Sequence, residues 1–138
     1  MHTANPPIML VEDDEVDAMT VQRALRTIEV SNPLVLAEQG EAALSYLETP
    51  GNIPPCIILL DLNMPVMSGL EFLRHVKQHA EWRRIPVVVL TTSEEAGDRN
   101  ASFELGAAGF LPKCPDYGRF VEVMRVWDQY WTWSDLPV

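Results

Sequence analysis

The sequence predicts an α/β three-layer sandwich from three observations. Five short apolar segments alternate with longer amphipathic segments along the 138 residues. Two of these segments, 56–60 and 87–90, lack polar alternation, which is typical of parallel strands buried on both faces. Parallel neighbours need crossover helices, and right-handed crossovers place helices on both sides of the sheet. The hydrophobic fraction of 47% suffices for one core, as expected for one domain of this length.

Strands and helices are expected in strict alternation. The predicted strands are 8–11, 34–37, 56–60, 87–90 and 109–111. The predicted helices are about 15–29, 41–49, 70–80, 93–105 and 116–133. Ser93 is the predicted N-cap of the fourth helix, and Gly106 ends that helix. Pro112 lacks a backbone N–H, so the fifth strand is placed at a sheet edge. This position fits the flavodoxin-like order 2-1-3-4-5, a (βα)5 fold with its ligand crevice at the carboxyl ends of strands one and three.

Charge and composition exclude several classes of protein. Ten Lys and Arg against twenty Asp and Glu give a net charge of −10, which disfavours nucleic acids and anionic membranes as partners. No apolar run approaches the roughly 20 residues of a membrane span, and the first residues lack secretory-signal features. Cys56 and Cys114 cannot build a disulfide framework. We therefore expect a cytoplasmic location and no nucleic-acid or membrane binding.

Polar side chains follow four of the five predicted strands. They are Glu12, Asp13 and Asp14 after strand one, Asp61 after strand three, Thr91 and Thr92 after strand four, and Lys113 after strand five. The carboxyl ends of parallel strands meet at one edge of a sheet. Carboxylates crowded there repel one another, and a bound hard divalent cation would relieve this repulsion. Mg²⁺ is the ion that we expect. The combination predicts a metal site.

Each of these residues alone also has a plain structural interpretation. Acids are favoured at helix N-termini, Asp forms turns, Thr suits strand ends and an isolated Lys is usually solvated. Because Mg²⁺ often binds carboxylates together with phosphate oxygens, a phosphoryl group would complete the predicted site. Asp61 could accept that group as an aspartyl phosphate, with Lys113 supplying positive charge.

Four segments taken in order resemble the receiver domains (CheY-like) of two-component response regulators. They are LVEDDE, LLDLNMPVMSGLEFL around Asp61, PVVVLTTS and GAAGFLPK. The resemblance covers about residues 8–131, leaving tails at 1–7 and 132–138. It implies a protein that accepts a phosphoryl group from a sensor histidine kinase or a phosphotransfer protein and then changes its protein contacts. The long fifth helix, the TTS run and the aromatic tail are similar to regulators that partner phytochrome-type kinases.

The resemblance also implies roles for individual residues. Asp61 would be the phosphoacceptor and a Mg²⁺ ligand, Asp13 a direct ligand, Glu12 a ligand through water, and Asn63 a ligand through its backbone carbonyl. Thr91 would be the switch hydroxyl, Thr92 its neighbour, Lys113 the partner of the phosphoryl oxygens and Phe110 the aromatic switch residue. Because Phe110 lacks a hydroxyl, the alternative is that it is largely a core aromatic of the last strand. Asp14 takes the role of Glu12 if the register shifts by one.

The sequence departs from the receiver pattern after Lys113. Receiver domains commonly place a proline there through a cis peptide, whereas this chain reads Lys113-Cys114-Pro115. A cis bond before a non-proline residue costs about 2.5–4 kcal/mol, against about 0.5–1 before proline. A trans bond and an altered loop are therefore expected.

Two surfaces are candidate partner sites. A stripe on the first helix, formed by Val16, Met19, Thr20 and Arg23, either docks a kinase's helical hairpin or is a partly buried helix flank. Helix four, strand five and helix five form the face expected to change its protein contacts and to make a homodimer. The aromatic residues Tyr130, Trp131 and Trp133 either add to a dimer or partner contact or cover the sheet edge as part of the core.

Three rival functions use related features. An aspartate-nucleophile phosphatase needs a second acid two residues after its nucleophile, where this chain has Asn63. A flavin carrier needs a phosphate-cradling loop after strand one, where the acids at 12–14 would repel the phosphate. An interaction protein that has lost signalling remains an alternative.

Overall fold

Strands and helices alternate along the chain in the computed structural model, which describes residues 6–92 and 96–133. The strands are β1 (Ile8–Val11), β2 (Leu34–Ala37), β3 (Ile57–Leu60), β4 (Val87–Thr91) and β5 (Gly109–Pro112). The α-helices are α1 (Glu15–Thr27), α2 (Gly40–Glu48), α3 (Gly69–Gln78), α4 (Ala96–Glu104) and α5 (Tyr117–Trp133). No helix within this described part is long and apolar enough to cross a membrane.

The strands form one parallel sheet in the order β2-β1-β3-β4-β5. This order confirms the predicted fold class. Pro112 stands opposite Thr91 on β4, and β5 is an edge strand as its proline predicts.

Two hydrophobic layers enclose the sheet, one on each face. Met9 and Val11 of β1 pack into the layer shared with α2 and α3, whereas Ile8 and Leu10 pack into the layer shared with α1 and α5. All four residues of β1 are buried, as are all four of β3. Each fully buried aliphatic side chain stabilises the fold by about 1.5–3 kcal/mol. The two-sided burial explains why these strands show no polar alternation.

Helix ends differ from the prediction by a few residues, for local reasons. Helix α1 ends at Thr27 because Ile28 caps it and Glu29 takes a left-handed backbone with φ of 62°. Gly106, at φ of 102°, follows α4 as predicted, and its N–H donates to Phe103 O at 3.0 Å. The predicted cap Ser93 lies outside the described residues.

A short 3₁₀ helix, Trp82–Arg84, was not predicted. The imidazole Nδ1 of His79 accepts the backbone N–H groups of Glu81 at 3.1 Å and Trp82 at 3.2 Å, and its ring stacks on the Trp82 indole. A side chain therefore holds this turn in place ahead of β4. Of the predicted tails, residues 1–5 and 134–138 lie outside the described part, and α5 continues to Trp133.

Candidate functional site

The register of the sheet brings the predicted site residues to one edge. Val11 stands opposite Leu60, so Glu12 and Asp61 leave the sheet side by side. The Asp61 N–H donates to Val11 O at 3.0 Å. On the other side of the crevice, the Lys113 N–H donates to Thr91 O at 2.9 Å.

Three carboxylates meet at this edge. Glu12, Asp13 and Asp61 each place an oxygen within 4.8 Å of the others. Glu12 and Asp61 are buried, whereas Asp13 is exposed at the mouth of the cluster. Hard oxygen ligands that open to solvent on one side suit a divalent cation that keeps some of its water. Asn63, the fourth predicted ligand, is exposed on the loop after Asp61.

The ammonium group of Lys113 lies beside the carboxylate cluster. It donates to Glu12 Oε1 and to Asp17 Oδ2, the latter at 3.0 Å, and lies 3.6 Å from Asp61 Oδ1. Burial on its own lowers the pKa of Lys113, but the hydrogen bonds to Glu12 and Asp17 and the charge of Asp61 outweigh it and raise that pKa. Lys113 therefore remains a cation in this crevice.

The surroundings of Glu12 raise the pKa of its carboxyl group. Burial raises the pKa of the Glu12 carboxyl from 4.5 to about 7, with the charge of Asp61 adding to the rise and the hydrogen bond from Lys113 opposing it. The protonation of the Glu12 carboxyl is therefore sensitive to pH near neutrality.

The side chain of Asp14 caps a helix and takes no part in the carboxylate cluster, although the Asp14 backbone N–H donates to Glu12 Oε2 at 3.3 Å. It is the N-cap of α1, and its Oδ1 accepts the Asp17 N–H at 2.9 Å. The alternative in which Asp14 replaces Glu12 is therefore not the arrangement seen. Asp17 itself was missed by sequence reasoning. The signal in the sequence that could have identified Asp17 is its place as an acid in the first turn of α1, the helix that follows Glu12 and Asp13.

The end of the loop between β3 and α3 is bonded to Leu62 and lies against the backbone of Asp61. Gly69 donates its N–H to Leu62 O at 3.1 Å, and a Cβ at this position would lie 2.5 Å from both Asp61 O and Leu62 Cα. Ser68 caps α3 by accepting the Glu71 N–H at 3.2 Å. Only glycine fits so close to the backbone of the candidate phosphoacceptor.

The predicted switch residues lie in different environments. Thr91 ends β4 and is fully buried, whereas Thr92 is exposed. Phe110 is partly buried and packs against the layer shared with α2 and α3. Phe110 therefore makes the contacts that are expected of a core aromatic residue.

The loop after Lys113 contains no cis bond, since every peptide bond across residues 6–92 and 96–133 is trans. The expectation for Lys113-Cys114 is confirmed. Asp116 accepts the Arg119 N–H at 3.2 Å and begins α5. The Tyr117 hydroxyl then pairs with the Thr27 hydroxyl at 3.1 Å, and the Arg23 guanidinium lies 4.3 Å from the centre of the Tyr117 ring. Side-chain contacts with α1 hold the start of α5.

The two candidate partner surfaces are partly exposed. Val16 and Met19 on α1 are 71% and 62% exposed. Arg23, from the same predicted stripe, is also exposed, and its guanidinium lies over the Tyr117 ring. Tyr130 on α5 is also exposed, and the side chains of Trp131 and Trp133 lie outside the described part.

A doubly covered parallel sheet with three acids and a lysine at one end defines a receiver domain. The chain belongs to the response regulator receiver domain family, whose model matches residues 8–125. This confirms the family resemblance and its place in two-component signalling.

Two relatives, one of them matched both by sequence and by structure, illustrate the match. Response regulator Rcp1 from Synechocystis sp. (strain ATCC 27184 / PCC 6803 / Kazusa) is 39% identical over 134 residues, which cover 93% of this chain and 91% of Rcp1. The crystal structure of the phosphorylated cyanobacterial phytochrome response regulator RcpA matches at a TM-score of 0.89 and 32% identity, covering 98% of this chain and 100% of that one. The Mn²⁺-bound form of Rcp1 matches at a TM-score of 0.86 and 36% identity, covering 96% and 99%.

Proposed function

We propose that this response regulator accepts a phosphoryl group on Asp61 from a phosphohistidine of a histidine kinase or a phosphotransfer protein. A carboxylate oxygen of Asp61 attacks phosphorus, the P–N bond of the donor breaks, and its electron pair stays on the imidazole nitrogen. The main support is that Glu12, Asp13 and Asp61 place oxygens within 4.8 Å of one another beside the Lys113 ammonium.

Mg²⁺ is the proposed cofactor. Asp13, Asp61, Glu12 through water and the backbone carbonyl of Asn63 would hold the ion. The donor set fits, because it consists of hard oxygens with an opening at Asp13. When bound, Mg²⁺ neutralises charge on the transferring phosphoryl oxygens. That the relative Rcp1 has a Mn²⁺-bound form supports a divalent ion here.

The remaining site residues would bind and sense the phosphoryl group. Lys113 would donate to a phosphoryl oxygen, since its ammonium is already 3.6 Å from Asp61 Oδ1. The Thr91 hydroxyl would donate to a second oxygen, and Phe110 and Thr92 would respond in the neighbouring strand and loop. These shifts would bias a two-state surface formed by α4, β5 and α5.

The proposed partner is a phytochrome-type histidine kinase in the cytoplasm, which docks on the exposed Val16 and Met19 of α1. The similarity to RcpA and to the bacteriophytochrome response regulator AtBRR, which is 36% identical at a TM-score of 0.76, supports this partner. The phosphorylated form would pair with a second copy through α4, β5, α5 and the aromatic residues near 130–133. We propose residues 8–131 as the functional domain, which acts as a switch and not as an enzyme with turnover.

Labelling with a small phosphodonor in the presence of Mg²⁺ tests the phosphoacceptor. The wild type should take up about one hydroxylamine-sensitive phosphoryl group per chain, and Asp61→Asn should take up none. Asp14→Asn is the matched control, because it removes a charge at the same rim and keeps a side chain that caps helices well. One group per chain in Asp61→Asn would overturn the assignment, and turnover of added phosphomonoesters would favour the phosphatase alternative.

Light scattering tests the assembly. The mass should double when Mg²⁺ and a phosphoryl mimic are added to the wild type and should not change in Asp61→Asn. A mass that is independent of the mimic contradicts the proposed dimer contact.

A further inference from the structure

The ammonium group of Lys113 has three N–H donors, and the structure shows where two of them go. One donates to Glu12 Oε1 and another to Asp17 Oδ2 at 3.0 Å. The distance to Asp61 Oδ1 is 3.6 Å, which is longer than a hydrogen bond. The third donor therefore remains for an oxygen brought in on the Asp61 side.

Asp17 is held in place by the start of α1. Its backbone N–H donates to the Asp14 cap, which fixes the first turn of the helix. The Asp17 side chain is 42% exposed, whereas that of Lys113 is 12% exposed. The contact therefore runs from the rim of the crevice to a lysine that is mostly enclosed.

The backbone after Lys113 does not supply the usual constraint. The bond to Cys114 is trans, and the first proline stands one position later. Hydrogen bonds at the Lys113 N–H and at Asp116 hold the two ends of this loop. At its tip, the lysine side chain is held by Glu12 and Asp17.

We propose that Asp17 is a positioning residue for Lys113: with Glu12 it holds two donors of the ammonium so that the third faces the phosphoryl oxygens on Asp61. This inference rests on the proposed phosphorylation of Asp61. Asp17 acts only through Lys113 and touches no reacting atom.

A double-mutant cycle with acetyl phosphate and Mg²⁺ tests this role. Asp17→Ala should lower the limiting labelling rate about fivefold, the upper range for a partly exposed ion pair, with little change in the half-saturating donor concentration. In a Lys113→Met background the same change should have no effect. Asp17→Asn, which keeps an acceptor oxygen, should recover part of the rate. Equal losses in both backgrounds, or no loss with Lys113 present, would overturn the proposal.

Glu15→Ala is the matched control, since Glu15 is an exposed acid in the same helical turn. A second readout does not depend on phosphorylation: the ¹H–¹⁵N signal of the Lys113 ammonium should move in Asp17→Ala and not in Glu15→Ala. If the wild type takes up no label, the proposed function fails, and this signal then decides the positioning role separately. An unchanged signal in Asp17→Ala overturns it.

Discussion

Replacing Gly69 with alanine tests how tightly the β3–α3 loop is tied to Asp61. The added Cβ would lie 2.5 Å from Asp61 O and Leu62 Cα, whereas ordinary contact begins at 3.4 Å, so the loop must open by about 0.9 Å. Both obstructing atoms belong to the backbone and cannot move aside as a flexible side chain would. Overpacking of this kind costs about 1–3 kcal/mol, which exceeds the gain from replacing a helical glycine.

We expect Gly69→Ala to lower the free energy of unfolding by about 2 kcal/mol and the Tm by roughly 8 °C. Because the loop begins at Asp61, the labelling rate with a small phosphodonor should fall about tenfold or more. Urea unfolding and labelling kinetics on the same preparation measure both effects.

Gly97→Ala is the matched control. Gly97 also lies in the first turn of a helix, but a Cβ there meets nothing within 4 Å. This variant should be as stable as the wild type or more stable by up to about 1 kcal/mol, with unchanged labelling. If Gly69→Ala matched Gly97→Ala in both assays, the inferred close approach to Asp61 would be refuted.

Three further predictions concern stability. The pKa of the Glu12 carboxyl rises from 4.5 in the unfolded chain to about 7 in the folded protein. Proton binding to Glu12 therefore adds about 3 kcal/mol to the free energy of unfolding below pH 4.5, and this stabilisation is lost as the pH rises through 7. Unfolding of the metal-free protein across pH 4–9 should show this loss, and Glu12→Gln should remove it. Val66 holds a φ of 66° that β-branched residues disfavour, so Val66→Asn should add about 1 kcal/mol, whereas Val126→Asn on exposed helix should change little. Unchanged urea midpoints for Val66→Asn would contradict this reasoning. Ser68→Ala, which removes the cap on the Glu71 N–H, should cost about 1 kcal/mol in thermal unfolding, and a smaller loss would mean that water replaces the hydroxyl.

The fold was largely predictable from the sequence because burial on both faces leaves a strong signal. The apolar runs at 8–11 and 34–37 match β1 and β2 residue for residue. Pro112 predicts its edge strand because proline has no backbone N–H to donate to a neighbouring strand, which holds in any context. The 3₁₀ helix was missed because the His79 ring holds it, and spacing of apolar residues carries no sign of that contact.

The site was predictable to the extent that strand ends determine it. Glu12, Asp13, Asp61 and Lys113 meet at one edge because parallel strands align their carboxyl ends. The contact between Asp17 and Lys113 was not predictable in this way. It depends on the tilt of α1 and the path of the loop after β5, which arise from packing and not from the local pattern.

No linking residue separates the end of β3 from the site residue that follows it. Leu60 is the last residue of β3, and Asp61 follows it at once. One extra residue inside β3 would reverse which side chain enters which layer and would carry the carboxylate about 3.3 Å further along. The exposed segment 51–54 ahead of β3 lies outside the sheet, and it is hydrogen-bonded to Tyr46 on α2 and not to the site. An insertion at 51–54 should therefore disturb the site far less than one inside β3, and a linker or an epitope placed there should leave Asp61 in position.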